Sequence, residues 1–538
     1  MPPARRPRPR ASRTHSRGGA GFTAVAVAAV TVLAGCAIGP TTGPGLVPAG
    51  EGGGPAPASS SAPRQAPALQ APKNDLTWSD CGTRIASEYR TTAPRGITVE
   101  CAELSAPVNP DRPQGGDLTV SLTRARAANT PGDAAPLVLT SGSDLPSSRT
   151  LMLFASGEGR GLLDSNPIVA VDRRGIPQSS PLDCLTRTER SVLADNGLAG
   201  NGSGGTADRR IDRLATSASS AADGCTETLS PNQLAFGIRD AAADIEALRI
   251  RWGVPHLGLI GVGEGSDVVL AYTSLYGGRA GRIVLDTPTP FGANARDTAS
   301  GAATGVQAAL RTFAQRCGSQ PNCALGSNGT QTIADVLDKG RSGGLDGLSD
   351  TQVLAAITTG LAVGPTGADG IGDVATAIAA ANRGDTRALA ALAATASALR
   401  LTDGQLVARC NNVTGPVGQN EVAPLIDAWS KQNPLTGADA ALSLMRCNGW
   451  AASPAVAPPN SFPVAPLVLN GSGDPINGGT GAAALNPMFA KASTRPVTVS
   501  WDGLGYSVLA RSACAADVVG QYVERSPIEG PSERGCPA

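Results

Sequence analysis

The chain has 538 residues, of which 41% are hydrophobic, 16% charged and 3% aromatic, and its formal net charge is zero. This length is ample for a large buried core, in one large domain or in several ordinary ones. The low charged fraction argues against a coiled coil, and the lack of a basic patch argues against nucleic-acid binding. Residues 1–35 carry six arginines and no acid, so the rest of the chain, with 38 basic and 44 acidic residues, is mildly acidic.

Residues 1–35 have the layout of an export signal. An arginine-rich stretch precedes the apolar run Phe22–Leu33, which is shorter than the ~20 residues needed to cross a bilayer. The run leads into Leu-Ala-Gly-Cys at residues 33–36, which is similar to the cleavage site of bacterial lipoproteins. We therefore predict a lipid on Cys36 and an extracytoplasmic protein anchored to the cell membrane. The alternative is an ordinary signal peptide with an incidental cysteine.

Residues 36–75 consist mainly of Gly, Pro, Ser and Ala and contain few large apolar side chains. Such a segment buries too little surface to offset its chain entropy, so we predict a disordered tether. The globular part is expected to begin at Leu76.

Ten cysteines remain after Cys36, an even number that suits disulfides in an oxidising compartment. Metal binding is the alternative use of cysteine, but no CxxC spacing occurs and one histidine follows Cys36, so neither metal nor cofactor is expected. The cysteines fall in close sequential pairs, and we predict nearest-neighbour bonds: Cys81–Cys101, Cys184–Cys225, Cys317–Cys323, Cys410–Cys447 and Cys514–Cys536.

Strand and helix patterns alternate in residues 76–290, which is typical of an α/β fold. Leu118–Thr123 alternates between apolar and polar residues, as expected of a half-buried edge strand, and Ala241–Arg251 has helical periodicity. Four short apolar runs suit strands buried on both faces of a parallel sheet; they are Leu137–Leu139, Ile168–Val171, Leu257–Ile260 and Ile283–Leu285.

Residues 291–460 are alanine-rich and helical, whereas strand patterns return in residues 461–538. This order predicts a helical cap inserted between two parts of one α/β core. The predicted helices are Thr351–Leu361, behind a cap at Ser349 or Asp350, Asp373–Leu399 with a break near Gly384, and Ala515–Tyr522; the predicted strands are Leu467–Leu469 and Val497–Trp501.

Gly-Val-Gly-Glu-Gly at residues 261–265 lies between a predicted buried strand and a helix, and Arg-Ile-Val-Leu-Asp follows at 282–286. This region resembles the nucleophile elbow of the α/β-hydrolase fold, specifically in the tripeptidyl-aminopeptidase-like serine exopeptidases related to prolyl aminopeptidases. The resemblance implies a mostly parallel sheet flanked by helices, an inserted cap, and hydrolysis at peptide N-termini or of esters. It covers residues 76–538, through further matching stretches at 171–175, 244–249, 313–326, 447–450, 474–475 and 512–514.

At two of the family's three catalytic positions this chain departs from the pattern. The resemblance places the nucleophile at Gly263, the general base at Tyr506 and the acid at Asp474, and only the acid is of the family's residue type. Tyrosine has an ordinary pKa near 10 and is a poor base at neutral pH. His256, the one histidine after Cys36, precedes the elbow strand and should lie at its opposite end. No Ser-His mechanism is therefore available.

The loop expected to supply the oxyanion hole, residues 141–144, is also altered, because it ends in Asp144. An acid there opposes the negative charge that develops during hydrolysis. Glu264 begins the following helix, where it either complements the helix dipole or faces the pocket and binds a ligand amine. Ser143, Asp144 and Glu264 are thus candidate pocket residues. Ser266 is expected to start the helix and to point away from the site.

The sequence therefore predicts an exported, lipid-anchored pseudoenzyme that keeps a binding role in the cell envelope. A peptide or lipid is the expected ligand and the membrane the expected partner, through Cys36, while no nucleic acid and no particular oligomeric state are predicted. The alternatives are an active peptidase or esterase with an unidentified nucleophile, and a structural envelope protein without a ligand. A dinucleotide fingerprint is disfavoured because its last glycine is replaced by Ser266.

Overall fold

The computed structural model describes residues 66–198, 206–365 and 368–538. Within them, one ten-stranded sheet has the order β1-β2-β3-β5-β4-β6-β7-β8-β9-β10. The strands are β1 (Ser79–Asp80), β2 (Ile97–Pro107), β3 (Asp117–Ala127), β4 (Leu137–Thr140), β5 (Ile168–Val171), β6 (Leu257–Val262), β7 (Ala280–Asp286), β8 (Leu467–Gly473), β9 (Val497–Leu504) and β10 (Glu533–Cys536).

Strands β5, β4, β6, β7, β8, β9 and β10 are parallel to one another, while β3, which is antiparallel to β5, and strands β2 and β1 add an antiparallel end. The four short apolar runs are central strands, β4 to β7, in which every residue is buried because helices cover both faces. This is the mostly parallel sheet, flanked by helices, that the sequence predicts.

One strand lies elsewhere in the sheet than predicted. The alternating segment Leu118–Thr123 belongs to β3, which pairs with both β2 and β5 and is not an edge strand. Its alternation arises because this antiparallel end of the sheet buries one face and leaves the other partly exposed. Strand β2 was not predicted, since its polar residues Thr98, Glu100 and Glu103 interrupt any apolar run.

Helices flank the sheet and build the cap. They are α1 (Gly82–Glu88), α2 (Ser147–Ser156), α3 (Arg187–Ala194), α4 (Ala207–Leu229), α5 (Ile238–Trp252), α6 (Gly265–Tyr276), α7 (Ala295–Gly318), α8 (Gly329–Ser342), α9 (Asp350–Val363), α10 (Ala368–Asn382), α11 (Arg387–Arg400), α12 (Asp403–Asn411), α13 (Gln419–Gln432), α14 (Gly437–Ser443), α15 (Gly481–Ala484), α16 (Asn486–Lys491), α17 (Val508–Arg511) and α18 (Ala513–Glu524). The N-cap of α9 is Ser349, whose hydroxyl accepts the Gln352 N–H, and Gly384 lies in the break between α10 and α11.

The cap contains two insertions rather than one. Helices α7 to α14 form the insertion predicted at residues 291–460. Helices α3 and α4, from the part predicted to be core, join them: Ile211 and Leu214 of α4 share a buried cluster with Val407, Val422 and Met445. The apolar stripe of α4 faces α13 instead of the sheet, so this segment belongs with the cap.

All five predicted disulfides are present in the structure. The ordered body begins earlier than predicted: the Ala66 N–H donates to the Ser526 carbonyl at 2.9 Å, and Leu69 packs against the core. The predicted tether is therefore at least ten residues shorter at its C-terminal end. The export signal, Cys36 and the rest of the tether lie outside the described residues. No helix in the described part of the chain is long and apolar enough to cross a membrane.

Candidate functional site

The backbone of a nucleophile elbow is formed between β6 and α6, at the carboxyl end of the central strand. Gly263 has a φ of +56°, the left-handed conformation that favours glycine, and its N–H donates to the Asp286 carbonyl at 2.8 Å. Gly265 approaches the preceding loop so closely that a Cβ there would overlap the carbonyl oxygen of Thr140. The turn thus has the tight geometry of G-x-S-x-G but carries no side chain at its centre.

The space beside Gly263 is filled by the carboxylate of Asp144. A Cβ on Gly263 would overlap Asp144 Oδ2, and it would lie 2.5 Å from Asn477 Nδ2, the amide that Asp144 holds, and 3.1 Å from Tyr506 Cε2. Asp144 Oδ2 accepts the Glu264 N–H at 2.9 Å, Asn477 Nδ2 at 2.7 Å and the Tyr506 hydroxyl at 3.4 Å. In this fold the N–H after the nucleophile is one of two oxyanion donors. The side chain of Asp144 therefore occupies space that a nucleophile and a substrate oxygen require.

Ser143, on the loop that supplies the other oxyanion donor, is also held by internal contacts. Its N–H donates to Glu264 Oε2 at 2.8 Å, and its hydroxyl accepts Arg173 Nη1 at 2.8 Å. Its carbonyl accepts Arg409 Nη2 at 2.7 Å and Gln405 Nε2 at 3.1 Å, both from the cap. Every backbone and side-chain polar group of Ser143 thus has a partner within the chain.

The residues at the acid and base positions, Asp474 and Tyr506, are completely buried. Asp474 Oδ1 accepts the Ile476 N–H at 2.7 Å, but its Oδ2 has no partner in the described part of the chain. Burial raises the pKa of Asp474 to about 7 and raises that of Tyr506 well above its ordinary value. The Tyr506 hydroxyl also donates to the Val262 carbonyl at 3.2 Å. The acid therefore orients no base, and the tyrosine keeps its proton.

Of the remaining predicted residues, Glu264 is at the N-cap of α6, and its side chain both borders the cavity and accepts the Ser143 N–H. Ser266 is buried and donates to the Gly261 carbonyl at 3.0 Å, away from the elbow space. His256 is half-buried and lies just before β6, at the amino end of the strand and opposite to the elbow, as predicted.

A cavity of about 610 Å³ lies between core and cap, next to the elbow. Glu264 and Asp267 border it on the core side, and Arg400, Arg409 and Arg446 border it on the cap side. Apolar side chains form much of the remaining wall, among them Phe291, Val413, Leu444, Met445 and Trp450. Its size is that of a pocket for a small organic molecule.

Several residues of the site were missed by the sequence analysis. Arg173, Gln405, Arg409 and Asn477 fix the loop and the carboxylate of Asp144. Only Arg173 had a signal, because it lies in one of the stretches that match the family. The others come from the cap and from the loop after β8, and their contacts depend on how those elements pack.

Comparison with known proteins agrees with the fold. The family model of TAP-like proteins matches residues 433–533. Serine protease Hip1 of Mycobacterium tuberculosis and that of Mycobacterium bovis are each 24% identical over 263 residues, which is 48% of this chain and 48% of theirs. The chain thus matches about half the length of these curated relatives.

Two solved structures are similar at low identity. Esterase E22 is 13% identical, with 79% of this chain and 100% of the esterase covered and a TM-score of 0.34. Epoxide hydrolase A of Mycobacterium thermoresistibile is 14% identical, with 79% and 98% covered and a TM-score of 0.31.

Proposed function

Because the chain resembles TAP-like α/β-hydrolases but carries Gly263 at the elbow, we propose that it is a catalytically inactive relative of these enzymes that binds a ligand. The ligand site is the cavity between core and cap. We further propose that the protein is exported and held at the cell envelope by a lipid on Cys36. The five disulfides and the layout of residues 1–36 support this location.

The observation that carries the proposal is the position of Asp144 Oδ2, which takes up one oxyanion donor and overlaps the site of any side chain at Gly263. Oxyanion stabilisation is usually the largest single contribution to acyl transfer. Here a fixed negative charge stands where the negative charge of the transition state would develop. Loss of the serine alone would leave an empty elbow, whereas this elbow is filled.

Reaction with a fluorophosphonate probe, followed by intact mass measurement, tests the loss of serine-hydrolase chemistry. We expect an unchanged mass for the native protein under conditions that label an active serine hydrolase completely. Addition of one probe would contradict the proposal, and peptide mapping would then locate the nucleophile.

Restoring the catalytic residues tests the role of Asp144. The double variant Gly263→Ser/Tyr506→His should remain unlabelled, because the new serine meets Asp144. The triple variant, which adds Asp144→Gly, should be labelled at residue 263. Circular dichroism and a thermal melt of each variant establish that it folds. Equal labelling of the double and triple variants would show that Asp144 does not obstruct the elbow.

A further inference from the structure

Three arginines of the cap face the cavity, and none of them is paired with an acid. Arg400 ends α11, Arg409 lies in α12 and Arg446 follows α14. In the described part of the chain, no carboxylate oxygen lies within 4.0 Å of any of the three guanidinium groups. All three residues are half-buried, and three guanidinium groups without a neighbouring carboxylate on one cavity wall are unusual, since charges removed from water are ordinarily paired.

Two other arginines border the same cavity and serve as an internal comparison. Arg190 pairs with Asp403 at 2.8 Å, and Arg239 pairs with Asp111 at 2.8 Å. The charges of these two are therefore compensated within the chain. The lack of a partner is confined to the wall formed by Arg400, Arg409 and Arg446.

Arg400 is the least satisfied of the three. Its Nε is buried without a hydrogen-bond partner, and its Nη1 makes one long bond of 3.4 Å to Thr359 Oγ1. Burial, followed by the positive charge of Arg409, lowers the pKa of Arg400 to about 10, so the group is still a cation at neutral pH. Its position therefore costs free energy that no contact within the described chain returns.

The neighbouring contacts of the other two arginines are to neutral oxygens. Arg409 donates to the carbonyls of Arg400 and Ser143, at 3.2 and 2.7 Å. Arg446 Nε donates to the side-chain oxygen of Asn196 at 2.7 Å. These bonds orient the guanidinium groups but do not neutralise them.

The acids on the opposite wall do not cancel this charge. Glu264 accepts the Ser143 N–H at the elbow end of the cavity, and its carboxylate lies more than 4.0 Å from the three guanidinium groups. Burial raises the pKa of Asp267 to about 8, which leaves this carboxyl neutral at pH 7. The cavity therefore has an excess of positive charge on its cap side.

We propose that the cavity binds an apolar monocarboxylate, with the carboxylate at Arg400 and Arg446 and an aliphatic chain along Phe291, Met445 and Trp450. Guanidinium groups match a carboxylate in geometry and charge, and the apolar wall excludes water from a chain. This inference rests on the proposed function, since it names the ligand of the same cavity. A fatty acid and the C-terminus of an apolar peptide share the required chemistry, and the aliphatic walls favour the fatty acid.

Calorimetric titration of the native protein with ligands that share a ten-carbon chain and differ in head group tests the proposal. We expect decanoate to bind at least tenfold more tightly than decanol, and decylamine to bind most weakly. Acetyl-trileucine with a free C-terminus is the peptide arm, and we expect it to bind more weakly than decanoate. Tighter binding of this peptide would overturn the fatty-acid assignment, and equal binding of decanoate, decanol and decylamine would overturn the carboxylate site.

Arginine variants locate the site within the cavity. Arg400→Met and Arg446→Met should each weaken decanoate binding at least tenfold and leave decanol binding unchanged. Arg239→Met removes a charge from the same cavity, but a paired one, and should change decanoate affinity less than threefold. An equal loss in all three variants would show a general effect of charge and would contradict the site. Fluorophosphonate labelling, in contrast, would overturn only the proposed loss of catalysis.

Discussion

The elbow and the cap wall of the cavity, formed by Arg400, Arg409 and Arg446, differ in whether their polar groups have partners within the chain. At the elbow, Asp144 Oδ2 accepts three hydrogen bonds and Ser143 has a partner for every polar group. At the cap wall, Arg400 keeps a buried Nε without a hydrogen-bond partner, and no carboxylate of the described chain lies within 4.0 Å of its guanidinium group. The three arginines line the cavity, whereas Ser143 and Asp144 do not and the elbow reaches it through Glu264. The polar groups of the elbow are satisfied without a ligand, and those of Arg400 are not.

This difference separates groups that stabilise the fold from groups that are available to a ligand. A donor that is satisfied internally adds to the free energy of unfolding, and a ligand must break that bond to use it. A buried group without a partner costs stability, and a ligand that supplies the partner recovers this cost. The polar groups of the elbow therefore stabilise the fold, and a ligand is expected to bind at the wall formed by Arg400, Arg409 and Arg446.

The largest effect should come from removing the acceptor at the elbow. Asp144→Ala leaves the Glu264 N–H and the Asn477 amide without their shared acceptor, while the Tyr506 hydroxyl keeps the Val262 carbonyl. We expect the free energy of unfolding to fall by about 3 kcal/mol, since buried donors without partners cost about 1–3 kcal/mol each before any water enters. Urea denaturation measures the change.

Asp144→Asn is the matched control for this variant. All three donors meet the same oxygen, Oδ2, so an asparagine with its carbonyl oxygen there retains all three bonds. The free energy of unfolding of Asp144→Asn should fall by less than about 1 kcal/mol. If both variants were as stable as the native protein, the elbow would contribute nothing to the fold and the contrast with the cap wall would fail.

A second prediction concerns Asp474, the residue at the family's acid position, and its effect on how the free energy of unfolding depends on pH. Its pKa of about 7 in the folded protein exceeds the ~3.9 of an unfolded chain, so the folded state binds more protons between these values. The native protein therefore loses stability as the pH rises from about 4 to about 7. Asp474→Asn has no proton to lose, so its stability relative to the native protein should increase over this range, by about 3 kcal/mol.

Denaturation of both proteins from pH 4 to pH 8 measures this difference. The curve of the difference should rise through the acid range and level off above pH 7. A difference that does not change with pH would show that Asp474 ionises equally in the folded and unfolded states, and that its buried Oδ2 has a partner in solution.

Much of the fold was predictable because it depends on local patterns. The apolar runs of β4 to β7 are short, β-branched and buried on both faces, and a capping box marks the start of α9. The position of β3 and the existence of β2 were not predictable in this way, since pairing partners leave no local signal. The second part of the cap, α3 and α4, was missed because an amphipathic helix does not show which surface covers its apolar stripe.

The candidate site was likewise predictable only where local motifs mark its residues. Gly263, Tyr506 and Asp474 were found from motif positions, and an acid at position 144 was recognised as unfavourable for catalysis. That Asp144 lies within the elbow was not predictable, because its place depends on the approach of Asn477 from the loop after β8. The sequence identifies Gly263, Tyr506 and Asp144 as departures from the family, and the structure shows that the carboxylate of Asp144 overlaps the place of a side chain at 263.

The smallest expected effect has the opposite sign to that at the elbow. Arg400→Met keeps most of the side-chain stem and removes a buried cation that has one long hydrogen bond. We expect the free energy of unfolding to increase by about 1 kcal/mol at pH 7, because an apolar side chain of similar size often replaces a poorly compensated buried charge without loss. Urea denaturation without added ligand measures the gain.

Addition of decanoate should reverse the order of stability. A ligand that binds only the folded state stabilises it in proportion to the logarithm of its concentration above the Kd, so the native protein should overtake Arg400→Met as decanoate increases. Arg239→Met, whose partner Asp111 remains, should show no such crossing. If Arg400→Met were less stable than the native protein without ligand, Arg400 would have a partner within the chain. The cap wall would then resemble the elbow, with its polar groups already satisfied.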